Sequence, residues 1–591
     1  MRIRTISAAE ASAWLLGLGV ALAPLAIWGG REGGLDFVLY RAPKEVAVQV
    51  VSWLVILLAV VSLPRPLAAC LRAAARPPLL LLLAYVGWNA ASGAWASAPP
   101  LWRGHLPAWI TTALAAVALA ALFAGLAAEA SARLRQTLQI GLCSGAAALT
   151  LLGALQALGL LPGLALIDPE IARAFPATMG WKNPTAHLIA WQLFLLAELA
   201  WRQKTRARRW LLLAGLGLEV IYLVSLQSRS ALFAVSAGAL ALLLALPPGE
   251  LRRRAGGGLM VAALAAALAL AAAPAARERA RSLLELATRP AAFLATDRGQ
   301  YLRSTWGMVA AHPFGVGLGC WQSEYPVHRV SSFGADREFE ARQAHSDWVQ
   351  ALGEGGYPGF LLWAGFWIVL LREAARTARA GNERLTGALL LAQLVAAMGC
   401  GLTDYVTEMP LFRLQLALLV ALAAAEAPAG SAPVPRDARW RRLVVVAIAL
   451  GGLLYSAWAA GTLVAADSEA RLEALSRQPP VERERALELA ERLRRLPKAS
   501  GTEHRAFHFA AALALENGEL ERGRLYLELA RQRSPWDPFG FELRARLAEK
   551  TGDSALAARL RSCGAQVAAP AVAGHPAECE SLPGLTGRRQ P

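Results

Sequence analysis

Residues 106–128 read LPAWITTALAAVALAALFAGLAA, 23 residues without one Asp, Glu, Lys or Arg. As a helix this run is about 34 Å long, enough to cross a hydrocarbon core of about 30 Å while satisfying its own backbone. It is not alone. Similar Leu-, Ala- and Val-rich runs lie near 11–29, 46–63, 78–95, 138–162, 184–201, 210–226, 230–247, 256–274, 356–371, 385–403, 409–426 and 443–465. The whole chain of 591 residues is 56% hydrophobic and only 17% charged, with a mean hydropathy of +0.39. A soluble domain carries about 25% charged residues. The reading is therefore all-α: a polytopic transmembrane helical bundle of about 12–13 spans. The run from Ala11 to Trp28 is too long for a signal-peptide core and has no obvious cleavage site, so it is read as an uncleaved first helix.

The net charge of +17 suggests a nucleic-acid partner at first sight. Its distribution argues otherwise, because the arginines sit in short loops between apolar runs. With the N-terminus in the cytoplasm, about 23 Lys and Arg fall in cytoplasmic segments and 7 in the short outer loops. The densest inner clusters are Arg202 to Arg209, Arg252 to Arg254 and Arg436 to Arg442. This orientation puts residues 275–355 and everything after 466 outside the cytoplasm. For a bacterial chain that means the inner membrane, with loop and tail in the periplasm.

Beyond Asp467 the material changes to charged, amphipathic helix. From Ala506 to Asp537 the pattern is helix, Asn517-Gly518 turn, helix, then a break containing Pro535. Residues 541–562 repeat the plan around Thr551-Gly552. Ala-rich first helix, Gly turn, second helix and closing Pro resemble a tetratricopeptide repeat, and a generic helical hairpin fits as well. The expected divisions are 1–274, an N-terminal transmembrane bundle; 275–355, a large outer loop; 356–466, further transmembrane helices; 467–565, a helical-repeat domain; and 566–591, a disordered tail. Six cysteines show no metal-ligand spacing. Cys563 and Cys579 pair if their compartment is oxidising, and otherwise remain two thiols.

Ionisable residues inside the spans are few, with Glu198, Glu219 and His187 the exceptions noted. The polar residues gather on the outer side instead. Four segments stand out: Met179 to Thr185; Gln227-Ser228-Arg229-Ser230; Asp297 to Arg303 with His312 to Gly319; and His345-Ser346-Asp347-Trp348 with Glu354 to Gly359. Alone, none is specific. Arg229 could anchor at headgroups, Arg298 and Arg303 could be surface charges, and His345 an ordinary loop residue. His312 and His328 read as bystanders. The GVGLG run lacks the Lys-Ser/Thr of a phosphate loop and reads as a tight turn.

In this order, on one membrane face, the segments resemble the O-antigen ligase and O-antigen polymerase superfamily. Asn183-Pro184 enters a span, Ser228-Arg229 lies between spans, and Arg298 precedes the Pro313, Gly315, Gly317, Gly319 turn. His345 with Asp347, Glu354-Gly355 with Gly359, and a weaker Asp404…Pro410 element follow. The resemblance covers about residues 180–420; Ser346 departs from it, since Asn is common there. It implies a membrane glycosyltransferase using no cofactor and no metal. A glycan on undecaprenyl diphosphate is transferred with inversion to an acceptor hydroxyl: lipid A core, another glycan, or a protein. His345 would be the general base, and Arg229, Arg298 and Arg303 would bind the diphosphate, as guanidinium suits a departing phosphate. Asp347, Glu354, Asn183 and Asp404 would support them. The helical-repeat tail would suit a protein partner. A lipid-linked glycan transporter would need a charged path through the bundle or internal repeats, and a mere scaffold would leave the ordered Arg and His residues without purpose.

Overall fold

The computed structural model describes residues 8–27, 37–161, 177–249, 296–330, 341–379, 384–425, 482–496 and 503–568, with scattered positions elsewhere. Among these the chain is helical throughout, without strands. The membrane part comprises α1 (Ala8–Leu22), α2 (Phe37–Ser62), α3 (Pro66–Ala74), α4 (Pro77–Ala91), α5 (Pro99–Gly125), α6 (Ala128–Ala157), α7 (Lys182–Arg202), α8 (Arg206–Ser225) and α9 (Arg229–Ala245). After the long loop's α10 (Asp297–Ala311) and α11 (Trp321–His328) come α12 (Asp347–Arg379), α13 (Arg384–Thr403) and α14 (Pro410–Ala425). Most of the predicted spans 256–274 and 443–465 lies outside the described residues, as does most of 566–591.

Five described helices are long and apolar enough to cross a membrane: residues Arg41–Ser62 of α2, then α5, α6, α12 and α13. A sixth is counted if Pro66–Ala74 and Pro77–Ala94, bent by 87°, form one broken span. The bend falls at Arg76-Pro77-Pro78, where proline removes a backbone donor and pushes its predecessor out of the helical region. The predicted span 78–95 is thus one arm of a bent pair. Three shorter apolar helices fill the bundle: Ala11–Leu25, α9 and α14. Exposed Trp14, Leu18, Leu211, Ile221, Phe233, Leu244, Leu361 and Ile368 make an apolar outer surface suited to lipid.

The centre is α14, buried from Pro410 to Ala424. It packs on α5 and α2, and Phe412 meets Trp191 of α7 edge-on at 5.2 Å. Within it, Arg413 is fully buried; Nη2 donates to Glu45 Oε2 at 2.5 Å and Nη1 to the carbonyls of Thr407 and Glu408. This corrects two sequence readings. Arg413 lies inside predicted span 409–426 and belongs with the ionisable exceptions. Lys44, assigned to an outer loop, is buried in α2 and donates to the carbonyls of Ala26 and Thr178. Removing one partner of a buried ion pair strands the other, so Arg413→Ala should lower stability by about 3–5 kcal/mol. Arg413→Met combined with Glu45→Leu should recover most of that loss. Thermal unfolding in detergent is the check, and equal midpoints for single and double variants would refute it.

The long loop is locked to α12 through glycines. At Gly356 α12 breaks, with φ 63° and ψ −163°. Opposite it runs the turn 313–319, with φ 82° at Gly315, 100° at Gly317 and 74° at Gly319. Tyr357 N–H donates to Pro313 O at 3.0 Å, Val316 N–H to Gly353 O at 3.1 Å, and Gly317 N–H to Glu354 O at 3.0 Å. The indoles of Trp88 and Trp95 donate to the carbonyls of Gly355 and Gly315. Two sequence motifs are therefore halves of one backbone-to-backbone joint.

The tail forms α15 (Arg483–Arg495) and two hairpins, α16 (Glu503–Glu516) with α17 (Leu520–Arg531), then α18 (Pro538–Lys550) with α19 (Ser554–Ala568). Asp537 caps α18, accepting from Phe539 N–H at 2.9 Å and lying 3.1 Å from His508 Nδ1. Cys563 and Cys579 are joined in a disulfide. The tail touches the outer loop at α11: Val327 joins the cluster of Trp536, Phe541 and Cys563. Arg329 donates to the carbonyls of Val567 and Ala568.

Candidate functional site

His345 sits in the short segment that connects the outer loop to α12. Its backbone is in the left-handed region, φ 50°, uncommon for a residue with a side chain and concentrated at functional sites. The fold holds it there. Ala344 N–H donates to Gln350 Oε1 at 2.8 Å, and Gln350 Nε2 donates to Glu354 Oε1 at 2.5 Å. The backbone N–H groups of Gly319 and Trp321 also bond to Glu354. Glu354 therefore acts on the His345 segment at one remove, through Gln350.

The imidazole is clasped on three sides. Its ring stacks on Tyr301 of α10, 5.5 Å between centroids and 14° between planes, and meets Tyr405 edge-on at 4.9 Å. Nδ1 lies 3.3 Å from Asp404 Oδ1. Asn183 Nδ2 donates to the other oxygen of Asp404 at 3.2 Å. With Nδ1–H directed at a carboxylate, Nε2 is the nitrogen left to take a proton. The His345 side chain is 39% exposed, against 7% for Asp404.

Asp404 follows directly on α13. Burial alone would raise its pKa, but the hydrogen bond from His345 and the charges of His187, His345 and Arg298 hold it down, to about 2. Asp347 braces this turn: its N–H donates to Asp404 O, and its carboxylate accepts from Thr407 N–H and, at 2.7 Å, from Thr407 Oγ1.

The cations divide. Arg298, second residue of α10, is half-buried, and its charge acts on both Asp404 and His187. His187 Nε2 lies 2.7 Å from Ser230 Oγ, so Arg229, exposed at the start of α9, is joined to the cluster through its neighbour. Arg303 is exposed and five residues beyond Arg298, about 140° around α10. No described contact brings it to His345. Sequence reading missed Tyr301, Tyr405, Arg342 and Arg41. The charges of Arg41 and Arg342 reach Tyr405, and Arg41 pairs with Glu408 at 3.6 Å. Tyr301 and Tyr405 stood inside or beside segments already singled out; Arg41 gave no local signal.

An imidazole beside a buried carboxylate, among guanidinium groups on a loop joined to an apolar helical bundle, is an arrangement able to move a proton at the surface of a multi-pass membrane protein. A family model described as O-antigen ligase matches residues 210–364, from α8 into α12, and that stretch is similar to a superfamily of membrane glycosyltransferase-like ligases and polymerases. The match contains Arg229, Arg298, Arg303, His345, Asp347 and Glu354, while Asn183 and Asp404 fall outside it. The family's substrates are, in general, a lipid-linked glycan and a glycan acceptor. No match is found among curated proteins.

Proposed function

We propose that the protein transfers a glycan from undecaprenyl diphosphate to an acceptor hydroxyl, lipid A core, on the periplasmic face of the inner membrane. The observation that carries this reading is the His345–Asp404 pair set beside Arg298. The acceptor O–H gives its proton to Nε2 of His345 while its oxygen attacks the anomeric carbon. The bond from that carbon to the diphosphate oxygen breaks on the opposite face, inverting the configuration. Arg298, with Arg229 near, meets the charge growing on the diphosphate. Asp404 fixes the tautomer and steadies the imidazolium, a positioning role. The disulfide in the tail, and the tail's contact with the outer loop, support a shared oxidising side.

Arg298→Ala should lower turnover by about 10²–10³-fold, and Arg303→Ala by less than about threefold, since exposed single charges contribute little. Equal losses would overturn the division between them. Asp404 has a folded pKa below the ordinary value of about 3.9, so its contribution is present above that pH and is lost as pH falls through about 2. The pH–rate profile should therefore show no Asp404 inflection above about pH 4. An inflection there that moved in Asp404→Asn would contradict the assignment.

The deciding experiment is a gel of surface polysaccharide from a deletion strain complemented with wild type. Long glycan kept on its carrier and restored to the lipid A core only by the gene makes the protein a ligase. Single repeat units on the core with loss of the ladder make it a polymerase.

A further inference from the structure

Outside this site, α10 and α11 bring together three side chains for which the transfer reaction has no use. His312 directly follows α10, and Glu324 and His328 stand on α11. Each offers one ligand atom, and the three atoms lie within 4.8 Å of one another. Glu324 and His328 are i and i+4 and so share one helix face. They are buried, 4% and 6% exposed. The two imidazoles stand nearly perpendicular, centroids 6.1 Å apart. Gly307 of α10 faces the second ring, and a Cβ there would lie in ordinary contact, 4.0 Å from His328 Nδ1.

We propose that His312, Glu324 and His328 bind one divalent transition cation of the zinc class, which pins α11 against α10. Two neutral imidazoles and one carboxylate form a donor set suited to Zn²⁺, with a fourth position left for water. Ligand-to-ligand distances in such a site are about 3.3 Å, so side-chain rotation of about 1 Å closes the triad.

The use of such a pin follows from what else α11 carries. The helix has eight residues, interrupted by Pro326, too short to hold itself. Tyr325 lies about 100° around the helix from Glu324 and meets Tyr301 at 5.5 Å, the ring on which His345 stacks. Val327 and Arg329 hold the tail. A cation on the third face would thus fix, at once, the wall behind His345 and the seat of the C-terminal hairpins. It touches no reacting atom and is structural.

The test uses the full-length protein, purified in detergent without a polyhistidine tag and incubated with zinc chloride. Bound metal is then measured by mass spectrometry after gel filtration. About one tightly held ion per chain is expected, lost in Glu324→Gln and in His312→Gln, which is half-buried beyond the end of α10 and spares the helix. Zinc should raise the unfolding midpoint of wild type and leave that of Glu324→Gln unmoved. His345→Ala should keep its ion, so failure of the catalytic reading and failure of this one are separable. His504→Gln with His508→Gln, which disrupts the tail's own histidine pair, should also keep it. No bound zinc in wild type would overturn the proposal and leave a hydrogen-bonded His–Glu–His cluster. So would an ion lost only with His504 and His508.

Discussion

His345→Ala should abolish measurable transfer, a loss of about 10²–10⁴-fold, in a protein that inserts and folds as wild type. The magnitude follows from the role: without a base the attacking hydroxyl keeps its proton until late in the transition state. Folding should survive because the ring is 39% exposed and its neighbours are held from elsewhere. Tyr301 packs on Trp321 and Tyr325, and Asp404 keeps Asn183. One complication has a control. His345 occupies φ 50°, where alanine is strained and asparagine is tolerated. His345→Asn therefore relieves backbone strain without supplying a base. If both variants are inactive and both show wild-type unfolding midpoints, loss of the proton acceptor is the cause. If Asn restores turnover, the residue serves only the shape of the loop, and a different base must be sought. Asp404→Asn should fall between, because it keeps a polar partner for Nδ1 but removes the charge that steadies the imidazolium.

What could be read in the sequence, and what could not, divides by the range of the interaction. Apolar runs such as 106–128 declare a helix locally, because crossing a membrane is a property of one segment. His345 and Arg298 were legible as residue types suited to base and phosphate partner. Their wiring was not. Asp347, Glu354 and Asp404 were all read as supporting residues, with nothing in the sequence to say which orients His345; Asp404, 59 residues on, holds the ring. The nearer acids do other work: Asp347 staples the turn carrying Asp404, and Glu354 acts through Gln350. The predicted span 46–63 begins nine residues after the start of α2, because Arg41 and Lys44 look like loop. Burial of Lys44 on carbonyls and of Glu45 on Arg413 is a tertiary event, 134 and 368 residues away, and no window reports it. The same holds for His312 and His328, bystanders on a line and neighbours in space.

Gly356→Ala should be among the most disruptive single methyl additions at the described glycines. A Cβ at Gly356 would lie 2.2 Å from Pro313 O and 2.4 Å from both Gly315 N and Phe314 C. All three are backbone atoms, so no side chain can swing away. The torsions, φ 63° and ψ −163°, belong to a region that is essentially glycine's alone, adding about 1–3 kcal/mol of strain. Relief requires the turn 313–319 to lift, which breaks Tyr357 N–H to Pro313 O and loosens the bonds from Val316 and Gly317 N–H to the carbonyls of Gly353 and Glu354. A combined loss above about 3 kcal/mol is expected. Activity should fall with it even where protein survives, because the turn leads into α11 and Glu354 anchors the His345 segment. Gly87→Ala is the matched control: a Cβ there meets nothing within 4 Å, and alanine in a helix gains about 0.5–1 kcal/mol over glycine. Gly315→Ala strikes the same joint from the other side, its Cβ 2.2 Å from Glu354 O, so its effect and that of Gly356→Ala should fall short of additive. Unfolding midpoints for wild type, the three single variants and the Gly315→Ala/Gly356→Ala double variant decide the matter. A Gly356→Ala variant as stable as Gly87→Ala would mean the joint is open in the working protein. The two glycine motifs would then have to be explained by movement rather than by fit.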